Sequence, residues 1–290
     1  MWDGKGKVAL VTGATSGIGQ AIATGLAAAG THVTILARNP QKARATIERI
    51  RAKAPNAKVE VLEGDIASQA SVRAAAAKFA AKHSKLDILV NCAGVFLPTR
   101  TLTDDGVETT FATNYLGHFQ LTNLLLPKLK KASPSRIVTV ASRYGGAKVD
   151  FEDLMVEKRK FSYLKAVPAS KLAQVLFTQE LAERLEGTGV VANAIHPGLV
   201  KHTQLLNQTR GFFRWLTNRL GGSPEEGADT ALWLALDPEA TKVSGKLLAK
   251  RKPMKTPGQG SDPAARKRLW AESEKLLATP KKKPAAKVSA

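Results

Sequence analysis

The segment Thr12 to Gly19 reads TGATSGIG, and its glycines stand where a ligand could use them. Gly13, Gly17 and Gly19 remove Cβ atoms where a backbone must turn sharply and come close to another group. Thr15, Ser16 and Ile18 fill the turn between them, and a helix starting near Gly17 would aim its unpaired amides and positive dipole end at an anion. A pyrophosphate suits such a site. The spacing is GxxxGxG rather than GxGxxG, and by itself it equally describes a tight strand-to-helix connection that binds nothing.

A second set of residues could handle protons. Lys171 follows the residues VPAS, so Val167 precedes it by four and would share its helical face. Valine has no proton to give. Ser142 ends the apolar run RIVTVAS, at the sheet edge where open α/β proteins bind ligands, although a serine there is equally a turn starter. The chain holds three tyrosines, Tyr115, Tyr144 and Tyr163. Tyr144 lies two residues past Ser142, within reach of the same pocket. Pro168 is expected in the first turn of a helix, which leaves Tyr163 in a preceding loop that could fold it inward. Both tyrosines are alternatively packing residues with a wet hydroxyl, and Lys171 a surface lysine.

These groups need a frame, and the apolar periodicity supplies one. Val8 to Val11 forms a buried strand before the glycine turn, residues 32–37 (HVTILA) a second, and residues 58–63 a third, with an amphipathic helix over 40–53. This βαβ alternation predicts an α/β fold, a parallel sheet with helices on both faces. Where the second strand ends, an acid would hold ribose hydroxyls, but the residues are Ala37, Arg38 and Asn39. An arginine favours a 2′-phosphate, hence NADP (NADPH), unless it is simply a solvated loop residue.

TGATSGIG, Asp65 after the third strand, NCAG (Asn91 to Gly94), TNYLGHF (Thr113 to Phe119), SKLAQVLFTQELAERL (Ser170 to Leu185) and HPGLV (His196 to Val200) together resemble the short-chain dehydrogenase/reductase family. The likeness spans residues 7 to about 275 and is greatest to the retinol dehydrogenase-like and WW-domain oxidoreductase-like branch. The resemblance implies a single-domain α/β fold, a doubly wound parallel sheet of seven strands (Rossmann-like), and hydride transfer between NADPH and a carbonyl or alcohol. It implies that Asn114 holds a relay water, Ser142 binds the substrate oxygen, and Lys171 binds the nicotinamide ribose. It also places Asp65, Ile66, Asn91, Ala93, Gly94, Pro197 and Gly198 around the cofactor. The family's catalytic tyrosine, a phenol of pKa about 10 lowered by neighbouring charge, falls on Val167. Two readings follow: an enzyme with an atypical proton donor, or a non-catalytic NADP-binding scaffold.

Composition bounds the rest. The sequence divides into a cofactor-binding domain (1–248), a basic extension with a short helix (249–278) and a Lys/Pro/Ala tail (279–290) expected to be disordered. Net charge is +20, of which residues 242–290 carry +11 with fourteen Lys and Arg against three acids. A solvated tail explains this; contact with nucleic acid or an anionic membrane lacks an accompanying recognition motif. One cysteine and five histidines without ligand spacing argue against disulfides and metal. The absence of a secretory leader points to cytoplasm. Phe151, Leu154, Phe161, Leu205, Leu206, Phe212, Phe213 and Trp215 in residues 143–165 and 200–222 suggest a lipophilic substrate or an apolar lid. The oligomeric state is not legible.

Overall fold

The computed structural model describes residues 2–201, 221–256 and 258–279. Residues 280–290 of the expected tail, and Leu205, Leu206, Phe212, Phe213 and Trp215, lie outside the described residues. The first half alternates β1 (Val8–Thr12), α1 (Gly17–Ala28), β2 (His32–Ala37), α2 (Pro40–Lys53), β3 (Val59–Glu63), α3 (Gln69–Lys82) and β4 (Ile88–Asn91). A short α4 (Thr109–Phe111) runs through a π-helical turn, Ala112–Leu116, into α5 (Gly117–Lys131). Then come β5 (Ser135–Val140), α6 (Tyr163–Arg184), β6 (Val190–Ile195), α7 (Pro224–Leu236), β7 (Leu247–Ala249), β8 (Lys252–Met254) and α8 (Pro263–Ala278).

The strands form one sheet of order β3-β2-β1-β4-β5-β6-β7-β8. All neighbouring pairs are parallel except β7 with β8, so the seven strands implied by resemblance become eight among the described residues. The extra strand follows from a two-residue hairpin in which Lys250 and Arg251 both adopt positive φ, as a tight I′ connection requires. Arg251 is held there by its backbone amide donating to Thr230 Oγ1 and its guanidinium bonding Asp229. The strand order reverses between β1 and β4, which opens a crevice at their carboxyl ends.

Helices cover both faces. One core layer joins Leu10, Phe79, Tyr115, Phe119, Phe177 and Trp270; the other joins Val11, Ile22, Leu26, Ile35, Val90 and Leu234. Two sequence expectations change at the C-terminal half. Helix α6 begins at Tyr163, so Pro168 lies inside it and not in its first turn. The amides of Lys165 and Ala166 bond the Ser162 carbonyl, and Pro168 merely withholds one bond from Leu164, an exposed residue near the helix end. In the extension, the helix runs sixteen residues and docks: Trp270 packs edge-on against Phe119 at 4.9 Å, and Ser273 Oγ meets the Tyr115 hydroxyl at 2.7 Å. No helix among the described residues is long and apolar enough to cross a membrane.

Candidate active site

A cavity of about 1390 Å³ opens at the carboxyl ends of the strands, and most of the residues singled out above line it. Its first wall is backbone. Gly13 turns at φ +66°, and a Cβ there would stand 2.6 Å from Ala93 Cα; a Cβ on Gly19 would stand 2.3 Å from the Gly13 carbonyl oxygen. Only hydrogen fits at either position. Thr12 Oγ1 accepts from the Cys92 and Ala93 amides at 2.9 and 3.0 Å, tying the turns after β1 and β4 together. Ser16 caps α1 without a side-chain hydrogen bond, so the first amides of that helix remain available to an anion beside Thr15, Gly17 and Ile18. At the far end Arg38 reaches across to Asp65 at 3.5 Å, with Ile66 and Gly94 also on the lining.

The second wall is made of side chains on α6 and the loops after β5 and β6. Tyr163, Val167 and Lys171 follow one another at successive i, i+4 steps along α6, and all three line the cavity with Ser142, Tyr144, Pro197 and Gly198. Val167 is buried at the site where it faces the cavity. Lys171 Nζ donates to the Val140 carbonyl at 2.8 Å, and burial lowers its pKa to about 8, with the Cys92 thiol opposing slightly. Burial pushes Cys92 itself up to about 11, so it stays a protonated packing group. Burial likewise raises the Tyr144 phenol, while the adjacent Ser142 hydroxyl draws it back. Tyr163 stacks obliquely on Phe96, ring centroids 4.9 Å apart.

Two of the expected site residues stand behind the wall. Asn91 turns its amide to Thr122 Oγ1 at 3.0 Å. Asn114 lies in the π-helical turn, where Oδ1 accepts from the Val95 amide at 2.7 Å and Nδ2 donates to Ser170 Oγ at 3.0 Å. Ser170 in turn donates to the Val167 carbonyl, so Asn114 fixes the α6 backbone at the residue facing the cavity. Irregular π turns of this kind recur at functional sites.

His118 was not singled out from the sequence, although it follows Asn114 by four residues. Its Nδ1 meets the Asn114 carbonyl at 3.0 Å and its Nε2 meets Thr12 Oγ1 at 2.9 Å. The carbonyl can only accept, so Nδ1 carries the hydrogen and Nε2 accepts from Thr12. Burial lowers the His118 pKa to about 4, keeping that neutral tautomer. His118 thus braces the glycine turn against the π turn. The cavity mouth was also missed in part: Phe96, Leu97, Leu164 and Leu199 line it, with Leu164 68% and Leu199 56% exposed.

Residues 7–211 match the short chain dehydrogenase family. Retinol dehydrogenase 13 of Homo sapiens is 40% identical over 283 residues, covering 94% of this chain and 85% of the relative. An uncharacterised protein of Mycobacterium paratuberculosis has a similar solved structure, with TM-score 0.78, 32% identity, and 98% and 97% of the two chains covered. The NADP active-site complex of Pseudomonas aeruginosa RhlG aligns with TM-score 0.68 and 26% identity over 85% of this chain and 95% of that one.

Proposed function

This chain belongs to the short-chain dehydrogenase family, and from that premise we propose that it is an NADP-dependent oxidoreductase of a lipophilic carbonyl or alcohol with an altered proton-donor site. The observation that carries the reading is one continuous cavity joining the glycine turn to Ser142 and Lys171. The cradle fits a dinucleotide: added Cβ atoms at Gly13 and Gly19 would collide with backbone, and the α1 amides have no side-chain cap. In this reading Gly13 to Gly19 hold the pyrophosphate, Asp65 and Ile66 flank the adenine, and Lys171 meets the nicotinamide ribose. The bound cofactor supplies or accepts hydride. Ser142 orients the substrate oxygen, and the apolar mouth at Phe96, Leu164 and Leu199 favours a lipophilic molecule, as the retinol dehydrogenase relatives also suggest.

Arg38 supports NADP over NAD; the structural relatives include complexes with NADP and with NADH. NADPH is expected to bind more tightly than NADH by about 1–3 kcal/mol, the worth of a charge-assisted phosphate contact. Fluorescence titration of the parent and Arg38→Ala measures this, and equal affinities in the parent would sink the assignment. Cytoplasmic location belongs to the same reading and rests on the single cysteine.

Val167 occupies the place of the family's tyrosine, and that residue favours a second reading, a non-catalytic NADP-binding scaffold. Retention of Asn114, Ser142 and Lys171 leans toward an enzyme. NADPH oxidation against a panel of carbonyls separates the two: turnover supports the enzyme, whereas tight NADPH binding with no turnover by the parent or Val167→Tyr supports the scaffold.

A further inference from the structure

We propose that Lys171 is itself the proton donor, its ammonium protonating the oxygen of a carbonyl substrate as hydride reaches the carbon. This rests on the reductase reading of the cavity. The N–H bond of the ammonium breaks as the O–H bond of the alcohol forms. NADPH is oxidised, the carbonyl is reduced, and the free amine regains its proton from water.

The geometry points to the lysine rather than to either tyrosine. Lys171 is buried on the cavity wall, and among the described residues its Nζ has one hydrogen-bond partner, the Val140 carbonyl, which leaves further N–H bonds for the cavity. Val167, one helical turn before it, is short and carries no competing donor. Tyr163 lies eight residues away, about 12 Å along the helix axis at 1.5 Å per residue, with its ring against Phe96. Tyr144 is 44% exposed at the mouth.

The groups facing the amine leave its charge uncompensated. They are the protonated Cys92 after β4 and neutral His118 on α5; Ser142 and Tyr144 after β5, and Tyr163 on the same helix as the lysine, line the same cavity. No carboxylate acts on it among the described residues. Burial without a counter-ion therefore brings its pKa to about 8, where an acid serves well near neutral pH.

Three measurements test the proposal on the full chain. In 15N-lysine NMR of the cofactor-free protein, the resonance lost in Lys171→Arg should titrate near pH 8. The kcat for carbonyl reduction should fall tenfold per pH unit above that value, and Tyr163→Phe and Tyr144→Phe should leave it essentially unchanged. Lys171→Arg keeps the cation but cannot release a proton, so kcat at saturating NADPH should fall by about 10²- to 10⁴-fold, more than any accompanying change in NADPH affinity. A rate flat to pH 10, loss of turnover in either Phe variant, or full turnover in a folded Lys171→Arg would overturn the inference. A parent that binds NADPH and reduces nothing overturns the donor alone, whereas one that binds neither nicotinamide cofactor overturns the reductase reading with it.

Discussion

The two walls of the cavity differ in what builds them. The wall after β1 is backbone: the Gly13 and Gly19 contacts exclude any side chain, and Thr12 and His118 lock the turns behind it. The wall on α6 is a row of side chains, Tyr163, Val167 and Lys171, on a helix whose position depends on what packs behind it. A backbone cradle tolerates little substitution and so keeps its ligand class. A side-chain wall can exchange one group for another while its shape survives, and here a buried valine faces the cavity.

The largest effect is expected from undoing the support of the second wall. Trp270 on α8 packs against Phe119 on α5 and Phe177 on α6, with the Arg184 guanidinium over its ring at 4.1 Å. Trp270→Ala should cost about 3–5 kcal/mol in denaturant unfolding, as large aromatic truncations in cores do. A loss within the usual surface range would mean that α8 is not a structural part of that wall.

A somewhat smaller effect sharpens the electrostatics. Lys171 titrates at about 8 in the fold against an ordinary 10.5, so between those values the unfolded chain holds a proton that the folded chain has released. Raising pH through that window must then favour folding. Relative to Lys171→Met, the parent should gain about 3 kcal/mol between pH 8 and 10.5, and below pH 8 the buried charge keeps its full cost. A stability difference that does not change with pH would show that the amine is solvated.

The smallest effect lies at the other end of the extension. Truncation after Thr279 should leave the melting temperature nearly unchanged, because a Lys, Pro and Ala tract buries too little apolar surface to offset ordering entropy. A drop of many degrees would place those residues on the body with α8.

The first wall was the more legible in sequence for the same reason that it is rigid. Glycine spacing reports backbone demands directly, and the strand at 32–37 and the helix at 40–53 emerge with the boundaries that periodicity gave them. The second wall obeyed tertiary packing over local rules. Pro168 argued for a helix start, yet α6 extends a turn and a half earlier and carries Tyr163 onto the helical row. The strand β8 and the docked face of α8 lay hidden in a basic stretch, because Lys250 and Arg251 at positive φ replace the glycine or asparagine that announces a hairpin. His118 gave only an i, i+4 spacing to Asn114, too common a pattern to single out.

Residue 167 decides between an altered proton-donor site and a cavity that never used a phenol there. If Val167 occupies the position of a proton-donating phenol that Lys171 replaces only in part, Val167→Tyr should raise NADPH-dependent turnover. NADPH affinity should not move, since a proton donor acts in the transition state. The direct measurement is kcat for parent and Val167→Tyr on one reducible lipophilic carbonyl, with NADPH titrated into both. A faster variant of unchanged affinity is the predicted result; a variant no faster than its parent, with NADPH bound to both, would contradict it.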